Sequence, residues 1–259
     1  TSKPRPAIAR QGSAMRPAIA AFLACSLTLA ARAAEPGPWI DFLQGPPDQA
    51  FNRPDPLWTR CAGVQLDPAN PKKLLALPGE GVWSNLPKGN CRDLFTKAQF
   101  SNPEVEIEFC IPKGSNSGVK MMGVYEIQIS DSHGQKRVDG KDCGGIYPRT
   151  ELRPVYRDLD LGIEPRVNAC GKPGDWQTLH IVFKGARFEP RNGKPKKVQN
   201  ARFDLVELNG QVVHKEQVVE SATGLNWTRP EPAKGPLMLQ LDHGPVAVRK
   251  FRARENPAN

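Results

Sequence analysis

The 259-residue sequence lacks several signatures that would assign it to common protein classes. Its longest apolar run, residues 18–31, has 14 residues, fewer than the roughly 20 that a membrane-spanning helix needs. No CxxC pair is present, which argues against a structural zinc site. Basic residues are not interleaved with aromatic ones, so we expect no nucleic-acid partner.

The apolar run is typical of an export signal. Arg16 gives a positive charge after Met15, the run at 18–31 follows, and residues 31–33 (Ala-Arg-Ala) have the small-x-small pattern of a cleavage site. We therefore predict that residues 1–34 comprise upstream residues and a signal peptide, and that the protein is secreted or periplasmic. An amphipathic N-terminal helix is the alternative interpretation.

The net charge of +9 overstates how basic the rest of the chain is. Residues 1–34 hold five of the 36 basic residues and none of the 27 acidic ones, which leaves 31 basic against 27 acidic residues, a balance of +4. The basic stretch at 187–197 is interrupted by Pro190, Gly193 and Pro195, which predicts a solvated loop.

The cysteine content agrees with an oxidising compartment. Five cysteines follow residue 34, and we predict disulfides between Cys143 and Cys170 and between Cys61 and Cys91, with Cys110 left free. The sequence does not fix this pairing, because five cysteines with one left over allow fifteen arrangements.

After residue 34 there is no long stretch with apolar residues at helical spacing. Short runs of period two occur instead, at residues 105–111, 125–130, 177–183, 201–207, 211–218, 237–241 and 246–251. Asn209-Gly210 lies between two of these runs and is typical of a type I′ hairpin turn, because both residues tolerate positive φ. Many short strands without repeats indicate an all-β, two-sheet sandwich, formed by a single domain over residues 35–259.

One of these runs, residues 125–130 (YEIQIS), alternates strictly between apolar and polar residues. Successive strand side chains point to opposite faces, so the apolar residues can be buried while Glu126 and Gln128 face outward together. Gln240 and His243 follow another apolar run near the C-terminus. On a concave sheet such side chains form a row suited to hydroxyl groups. The plainer alternative is a solvated outer strand face.

Several short motifs occur in an order that is similar to one protein family. They are residues 116–118 (NSG), 125–132 (YEIQISDS), 142–147 (DCGGIY), 168–170 (NAC), 173–178 (PGDWQT), 200–203 (NARF), 208–210 (LNG), 235–237 (GPL) and 242–246 (DHGPV), followed by Arg249. Over about residues 95–254 the chain resembles the secreted 3-keto-disaccharide hydrolase family. The resemblance implies a concanavalin A-like jelly-roll β-sandwich of two antiparallel sheets. It also implies cleavage of glycosides that carry a ketone at sugar C3.

The chain departs from the family pattern in two places. The usual Phe-Arg-Asn-Ile ending is Val-Arg-Lys-Phe at residues 248–251, which keeps Arg249 and lacks the Asn. Residues 149–165 form a long insertion between two of the motifs. Because loops at a sheet rim set specificity, the insertion leaves the particular substrate open.

The implied chemistry begins at C2, whose hydrogen is acidified by the neighbouring ketone. Removal of that proton gives an enolate, the C1 substituent leaves by β-elimination, and water adds afterwards. The site therefore needs a base, a proton donor and a group that stabilises the enolate oxygen. We predict Glu126 and His243 as the catalytic proton-transfer pair, without assigning which is the base, and Arg249 as the stabiliser of enolate charge.

Further residues are predicted to bind the substrate. Gln128 and Gln240 would hold sugar hydroxyls or the ketone. Asp131 would orient His243 or bind a divalent cation, for which oxygen ligands are suited. No cofactor is otherwise indicated.

Other function classes remain open. Glu104, Glu106 and Glu108 alternate and so line one strand face, which superficially resembles the paired carboxylates of a retaining glycosidase. The Glu-x-Asp-x-x-Glu signature of glucanases on this fold is absent, so we interpret the three as a polar sheet face and keep Glu108 as a candidate substrate-binding residue. A non-catalytic carbohydrate-binding module of the cell envelope is the main alternative, and a domain that anchors another protein there is a third.

Overall fold

The computed structural model describes residues 1–4 and 35–257. Contacts divide the chain into two units, Thr1–Ala33 and Ala34–Asn259, and the second holds the strands. The predicted signal peptide, apart from residues 1–4, lies outside the described residues. None of the helices in the described part of the chain is long and apolar enough to cross a membrane.

The second unit is built almost entirely of strands. They are β1 (Ile40–Asp41), β2 (Thr59–Asp67), β3 (Asn70–Ser84), β4 (Leu94–Phe100), β5 (Pro103–Cys110), β6 (Asn116–Met121), β7 (Tyr125–Ser130), β8 (Thr150–Glu151), β9 (Arg157–Asp158), β10 (Trp176–Lys184), β11 (Arg187–Arg191), β12 (Lys194–Gln199), β13 (Ala201–Leu208), β14 (Gln211–Val219), β15 (Gly235–Leu239) and β16 (Ala247–Glu255). The described helices are one short α-helix, α1 (Pro47–Ala50), and one 3-10 turn (Leu225–Thr228).

The strands form two main antiparallel sheets. The eight-stranded sheet has the order β14-β13-β10-β5-β16-β3-β2, with β1 added beside β16. The four-stranded sheet has the order β4-β15-β6-β7. The hairpins β8–β9 and β11–β12 form separate two-stranded ribbons.

One hydrophobic core joins the two sheets. Val105, Ile107 and Phe109 of β5 belong to the same buried cluster as Ile127 and Ile129 of β7, so each sheet turns its apolar face to the other. Burial of these alternate residues follows from the period of two in both strands. The arrangement confirms the all-β jelly-roll sandwich predicted from the sequence.

Local turn chemistry also follows the prediction at one hairpin. Asn209 and Gly210 connect β13 to β14 with φ of 52° and 74°, the positive values that a type I′ turn requires. The stretch at 187–197 is different, because it forms the exposed hairpin β11–β12 instead of a loop, with Pro190 opposite Pro195 in the register.

The predicted disulfides are not present in residues 35–257, where all five cysteines are buried free thiols. The pairing of Cys61 with Cys91 is wrong, because Cys61 packs in a small cluster with Cys110 while Cys91 belongs to the main core. Cys143 and Cys170 are neighbours, but as a thiol pair: a hydrogen bond between them lowers the pKa of Cys170.

Candidate active site in a cleft on the four-stranded sheet

The outer face of the four-stranded sheet carries a row of side chains in register across neighbouring strands. Phe95 of β4 lies opposite Met238 of β15, Met238 lies opposite Lys120 of β6, and Lys120 lies opposite Glu126 of β7. The segment after β7 continues the row, because the Tyr147 N–H donates to the Glu126 carbonyl oxygen. The row therefore has an apolar end, at Phe95 and Met238, and a charged end, at Lys120 and Glu126.

A second row lies beside the first. The Gln240 N–H donates to the carbonyl oxygen of Gly118, and Gly118 lies opposite Gln128. The Gln128 side chain is buried, and its Nε2 donates to Asn116 Oδ1 over 2.8 Å. Its Oε1 is buried without a hydrogen-bond partner in residues 35–257, and thus has acceptor capacity to spare.

The first row, with Gln240 and Asn116 beside it, forms the floor of a cleft of about 850 Å³. This volume is within the range of small-molecule sites. Residues from β15 and the loop after it, from the segment at 147–156 and from the segment at 224–232 form the walls. The lining side chains are Asp93, Phe95, Asn116, Lys120, Met122, Val124, Glu126, Tyr147, Thr150, Tyr156, Leu225, Asn226, Arg229, Pro230, Pro232, Pro236, Met238, Gln240 and His243.

Glu126 is the most deeply buried acid in this cleft, with 3% of its surface exposed. Its Oε2 lies 3.2 Å from Lys120 Nζ. Burial raises the pKa of the Glu126 carboxyl, and the charges of Lys120 and His243 offset this rise only in part. A buried carboxyl with a raised pKa beside a cation, in a cleft, is typical of an acid–base site.

Gly118 makes room for that carboxylate. A Cβ placed on Gly118 would lie 2.3 Å from Glu126 Oε1, far inside van der Waals contact. The backbone of Gly118 has no positive φ, so the glycine is needed for space and not for conformation.

We expect Gly118→Ala to lower activity about 100-fold, because a displacement of about 1 Å at a reacting group has an effect of that size. The clash is with the end of a flexible side chain, so the thermal unfolding midpoint should change little. Gly63→Ala is the matched control, since its Cβ would meet only Leu77 Cδ1 at 3.6 Å. Normal turnover in Gly118→Ala would show that the carboxylate position is unimportant.

His243 and Gln240 lie at the rim of the cleft. The His243 side chain is 56% exposed, and its Nδ1 contacts the carboxylate of Asp242 and lies 3.2 Å from Gln240 Nε2. A carboxylate against Nδ1 favours the proton on that nitrogen, which leaves Nε2 free for proton transfer.

Four predicted site residues, Gln128, Arg249, Glu108 and Asp131, lie outside the cleft lining. Gln128 is buried behind Asn116, which does line the cleft. Arg249 donates from Nε to Glu108 Oε2 over 2.7 Å and stacks on Trp176, on the outer face of the eight-stranded sheet. The core separates that face from Glu126. Asp131 accepts a hydrogen bond from the Gly114 N–H at the end of β7, and it is Asp242, not Asp131, that contacts His243.

The same outer face explains the other two glutamates of β5. Glu106 is paired with Lys250 and Arg252, and Glu104 with Arg254 and His180. The cross-strand register of β5 with β16 brings these charges together. They are therefore a ladder of ion pairs on a sheet surface, as the sequence interpretation of a polar face predicted.

Sequence reasoning missed most of the cleft lining, including the ionisable residues Asp93, Lys120, Tyr147, Tyr156 and Arg229. One signal for Lys120 was available. It lies six residues before Glu126 across the Met122-Gly123 turn, so an antiparallel hairpin places the two opposite each other. Burial raises the pKa of Asp93, and the Asp93 carboxylate accepts a hydrogen bond from the Leu241 N–H.

No group of three or more His, Cys, Asp or Glu side chains within residues 1–4 and 35–257 is arranged to hold a metal ion. The possible cation at Asp131 therefore gains no support from a ligand cluster.

The fold and the site thus define a β-sandwich with a cleft on its smaller sheet that is lined by both apolar and ionisable side chains. The chain belongs to the family described as the 3-keto-alpha-glucoside-1,2-lyase-like domain, which matches residues 72–254. Membership in this family supports a glycoside-cleaving role. The curated proteins include no significant match to this chain.

Solved structures show the same fold. Two proteins from Parabacteroides distasonis, each described as a "putative glycosyl hydrolase", are similar to this chain. One is 23% identical with a TM-score of 0.53, over 69% of this chain and 73% of that one. The other is 20% identical with a TM-score of 0.54, over 84% of this chain and 99% of that one. At these identities the likeness shows the fold alone.

Proposed function

We propose that this protein is an exported enzyme that cleaves 3-keto-glycosides, including 3-keto-disaccharides, by proton abstraction at C2 and β-elimination. The observation that carries the proposal is the buried Glu126 carboxyl, with its raised pKa, beside Lys120 in a cleft of about 850 Å³. Membership in the 3-keto-alpha-glucoside-1,2-lyase-like family supports it.

The reaction proceeds in two electronic steps. In the first, a base takes the proton from C2, the C–H electron pair forms a C2–C3 double bond, and the ketone π pair moves onto O3 to give an enolate. In the second, the ketone re-forms, a C1–C2 double bond forms, and the C1–O bond breaks. The departing oxygen takes a proton from an acid. Addition of water to the enone completes a net hydrolysis, whereas a lyase releases the enone.

Glu126 is the base in this proposal. A carboxylate is a better base when its pKa is raised, and burial raises the pKa of Glu126. His243 at the rim transfers the proton at the leaving oxygen. Its Nδ1 contacts Asp242, so Nε2 is the nitrogen that can pass this proton. Gln240, which lines the cleft, binds sugar hydroxyls or the ketone. Gln128 contributes through Asn116, whose side chain it holds at the cleft floor.

Lys120 takes the role that the sequence analysis gave to Arg249. The enolate oxygen is bonded to C3, next to the C2 from which the base removes the proton. The group that stabilises this oxygen must therefore lie close to the base. Lys120 Nζ is 3.2 Å from the Glu126 carboxylate, whereas Arg249 lies on the other sheet. A fixed cation aimed at developing charge contributes strongly to rate.

The predicted signal peptide at residues 1–34 supports export of the enzyme to the periplasm or the medium. Comparing the N-terminus of protein recovered from those fractions with the cleavage site predicted at residues 31–33 tests this part of the proposal.

The substrate is tested with 3-keto-trehalose and with unoxidised trehalose. We expect release of monosaccharide or enone from the keto sugar only, because without the ketone the C2 hydrogen is not acidic. Cleavage of both sugars at similar rates would point to ordinary glycosidase chemistry. Binding without turnover of either would favour the non-catalytic carbohydrate-binding module.

A further inference from the structure

Tyr147 lies beside Glu126, on the side away from Lys120. Residues 144–147 run antiparallel to β7, since the Gly144 N–H donates to the Gln128 carbonyl oxygen and the Gln128 N–H donates to that of Gly145. The bridge between Ile127 and Ile146 fixes the register. The Tyr147 side chain therefore shares the outer face with Glu126 and lines the cleft.

The base is thus flanked by two hydrogen-bond donors. Lys120 is opposite Glu126 on β6, and Tyr147 is opposite it on the added segment. Strand neighbours in an antiparallel pair are about 5 Å apart. A substrate carbon held over Glu126 places its attached ketone within reach of one neighbour or both.

The Tyr147 hydroxyl is held in place by a second phenol. Its Oη is 3.0 Å from the Oη of Tyr156, which lies in the insertion at 149–165 and is 55% exposed. A hydroxyl can accept one hydrogen bond while donating another. When the Tyr156 hydroxyl donates to Tyr147, the Tyr147 proton is free to point into the cleft. The hydrogen bond from Tyr156 also polarises the Tyr147 hydroxyl and makes it a stronger donor.

The ionisation state suits the same role. Burial raises the pKa of the Tyr147 phenol, and the negative charge of Glu126 raises it further. The hydroxyl stays protonated throughout the neutral range and is always available as a donor.

We propose that the Tyr147 hydroxyl donates a hydrogen bond to the oxyanion that forms on C3 of the substrate, together with Lys120. The inference rests on the proposed function and adds a catalytic residue to it. As Glu126 removes the C2 proton, negative charge moves onto O3, and Tyr147 stabilises this charge without transferring its own proton. The charge disperses when the C1–O bond breaks.

The test is Tyr147→Phe, which removes one oxygen and keeps the ring. We expect kcat to fall about 100- to 1,000-fold, the effect of losing one oxyanion donor. Because the donor acts on the enolate, the loss should be the same for 3-keto-glucosides with phenol or 4-nitrophenol as leaving group. A loss that disappears with 4-nitrophenol would mean that Tyr147 protonates the leaving oxygen, and would overturn the proposal, as would a loss below threefold.

The other two tyrosines of the chain supply controls. Tyr125 faces the core and its hydroxyl donates to Glu231 Oε1 over 2.6 Å, so Tyr125→Phe should retain turnover within about threefold. Tyr156→Phe should lower kcat less than Tyr147→Phe, since it removes only the support for the donor. If the wild-type protein does not cleave the keto sugars, the proposed function itself fails. Normal turnover in Tyr147→Phe overturns only this inference.

Discussion

Replacing Glu126 with glutamine is expected to lower turnover of 3-keto-trehalose about 100- to 10,000-fold, the usual contribution of a general base. Glutamine has nearly the same size and still hydrogen-bonds, but it cannot accept the C2 proton. The KM should change less than kcat, because the cleft keeps its shape. Steady-state kinetics with purified protein, together with a thermal unfolding midpoint for the variant, measures both effects.

Glu108→Gln is the matched control for this experiment. Glu108 lies in the alternating strand β5, as Glu126 lies in the alternating strand β7. Its carboxylate, however, is paired with Arg249 on the outer face of the other sheet. We expect its turnover to stay within about twofold of the wild type, since surface ion pairs contribute little. Near-normal turnover in Glu126→Gln would remove Glu126 from the mechanism.

The contrast between these two glutamates shows what the sequence could and could not predict. The runs around Glu108 (EVEIEF) and Glu126 (YEIQIS) have the same period of two, and in both the apolar members are buried. Periodicity separates the inner face of a strand from the outer one. It does not say which sheet the strand joins, and a sandwich has two outer faces.

The missing information was the strand order. β5 pairs with β16, so Arg249 and Glu108 meet on the larger sheet, whereas β15 pairs with β6, so Gln240 meets Gly118 on the smaller one. These pairings join residues more than 100 positions apart in the chain. They depend on how the whole core packs, which a local pattern does not encode.

Short-range features were predictable for the opposite reason. The Asn209-Gly210 turn between β13 and β14 follows from the local preference of two residues for positive φ. Prolines misled the prediction at 187–197, where Pro190 and Pro195 face each other in an exposed hairpin. Proline is tolerated in such edge strands, because a missing N–H is not needed there.

The pH dependence of activity should reflect the environment of Glu126. A base must be deprotonated to act, so kcat/KM should rise with pH as the carboxyl loses its proton. Because burial raises the pKa of Glu126 above its ordinary value of 4.5, the acid limb of the profile should lie above pH 4.5. The positive charge of Lys120 opposes this rise in the Glu126 pKa, so the position of the acid limb should depend on Lys120.

Lys120→Met should therefore have two separate effects. Loss of the cation that stabilises the enolate should lower kcat about 100- to 1,000-fold, as for other donors to a developing oxyanion. Loss of the charge that holds the Glu126 pKa down should raise that pKa, so the acid limb of kcat/KM moves to higher pH. A purely structural role for Lys120 would lower activity without moving the limb.

Lys250→Met is the control for the loss of a lysine, because Lys250 pairs with Glu106 on the larger sheet, away from the cleft. It should leave both kcat and the acid limb unchanged. A limb that stays in place in Lys120→Met, or moves to lower pH, would mean that the titrating base is not the carboxyl beside Lys120. A shift of the acid limb to higher pH in Lys120→Met, without one in Lys250→Met, would identify the kinetic base as the carboxyl paired with Lys120.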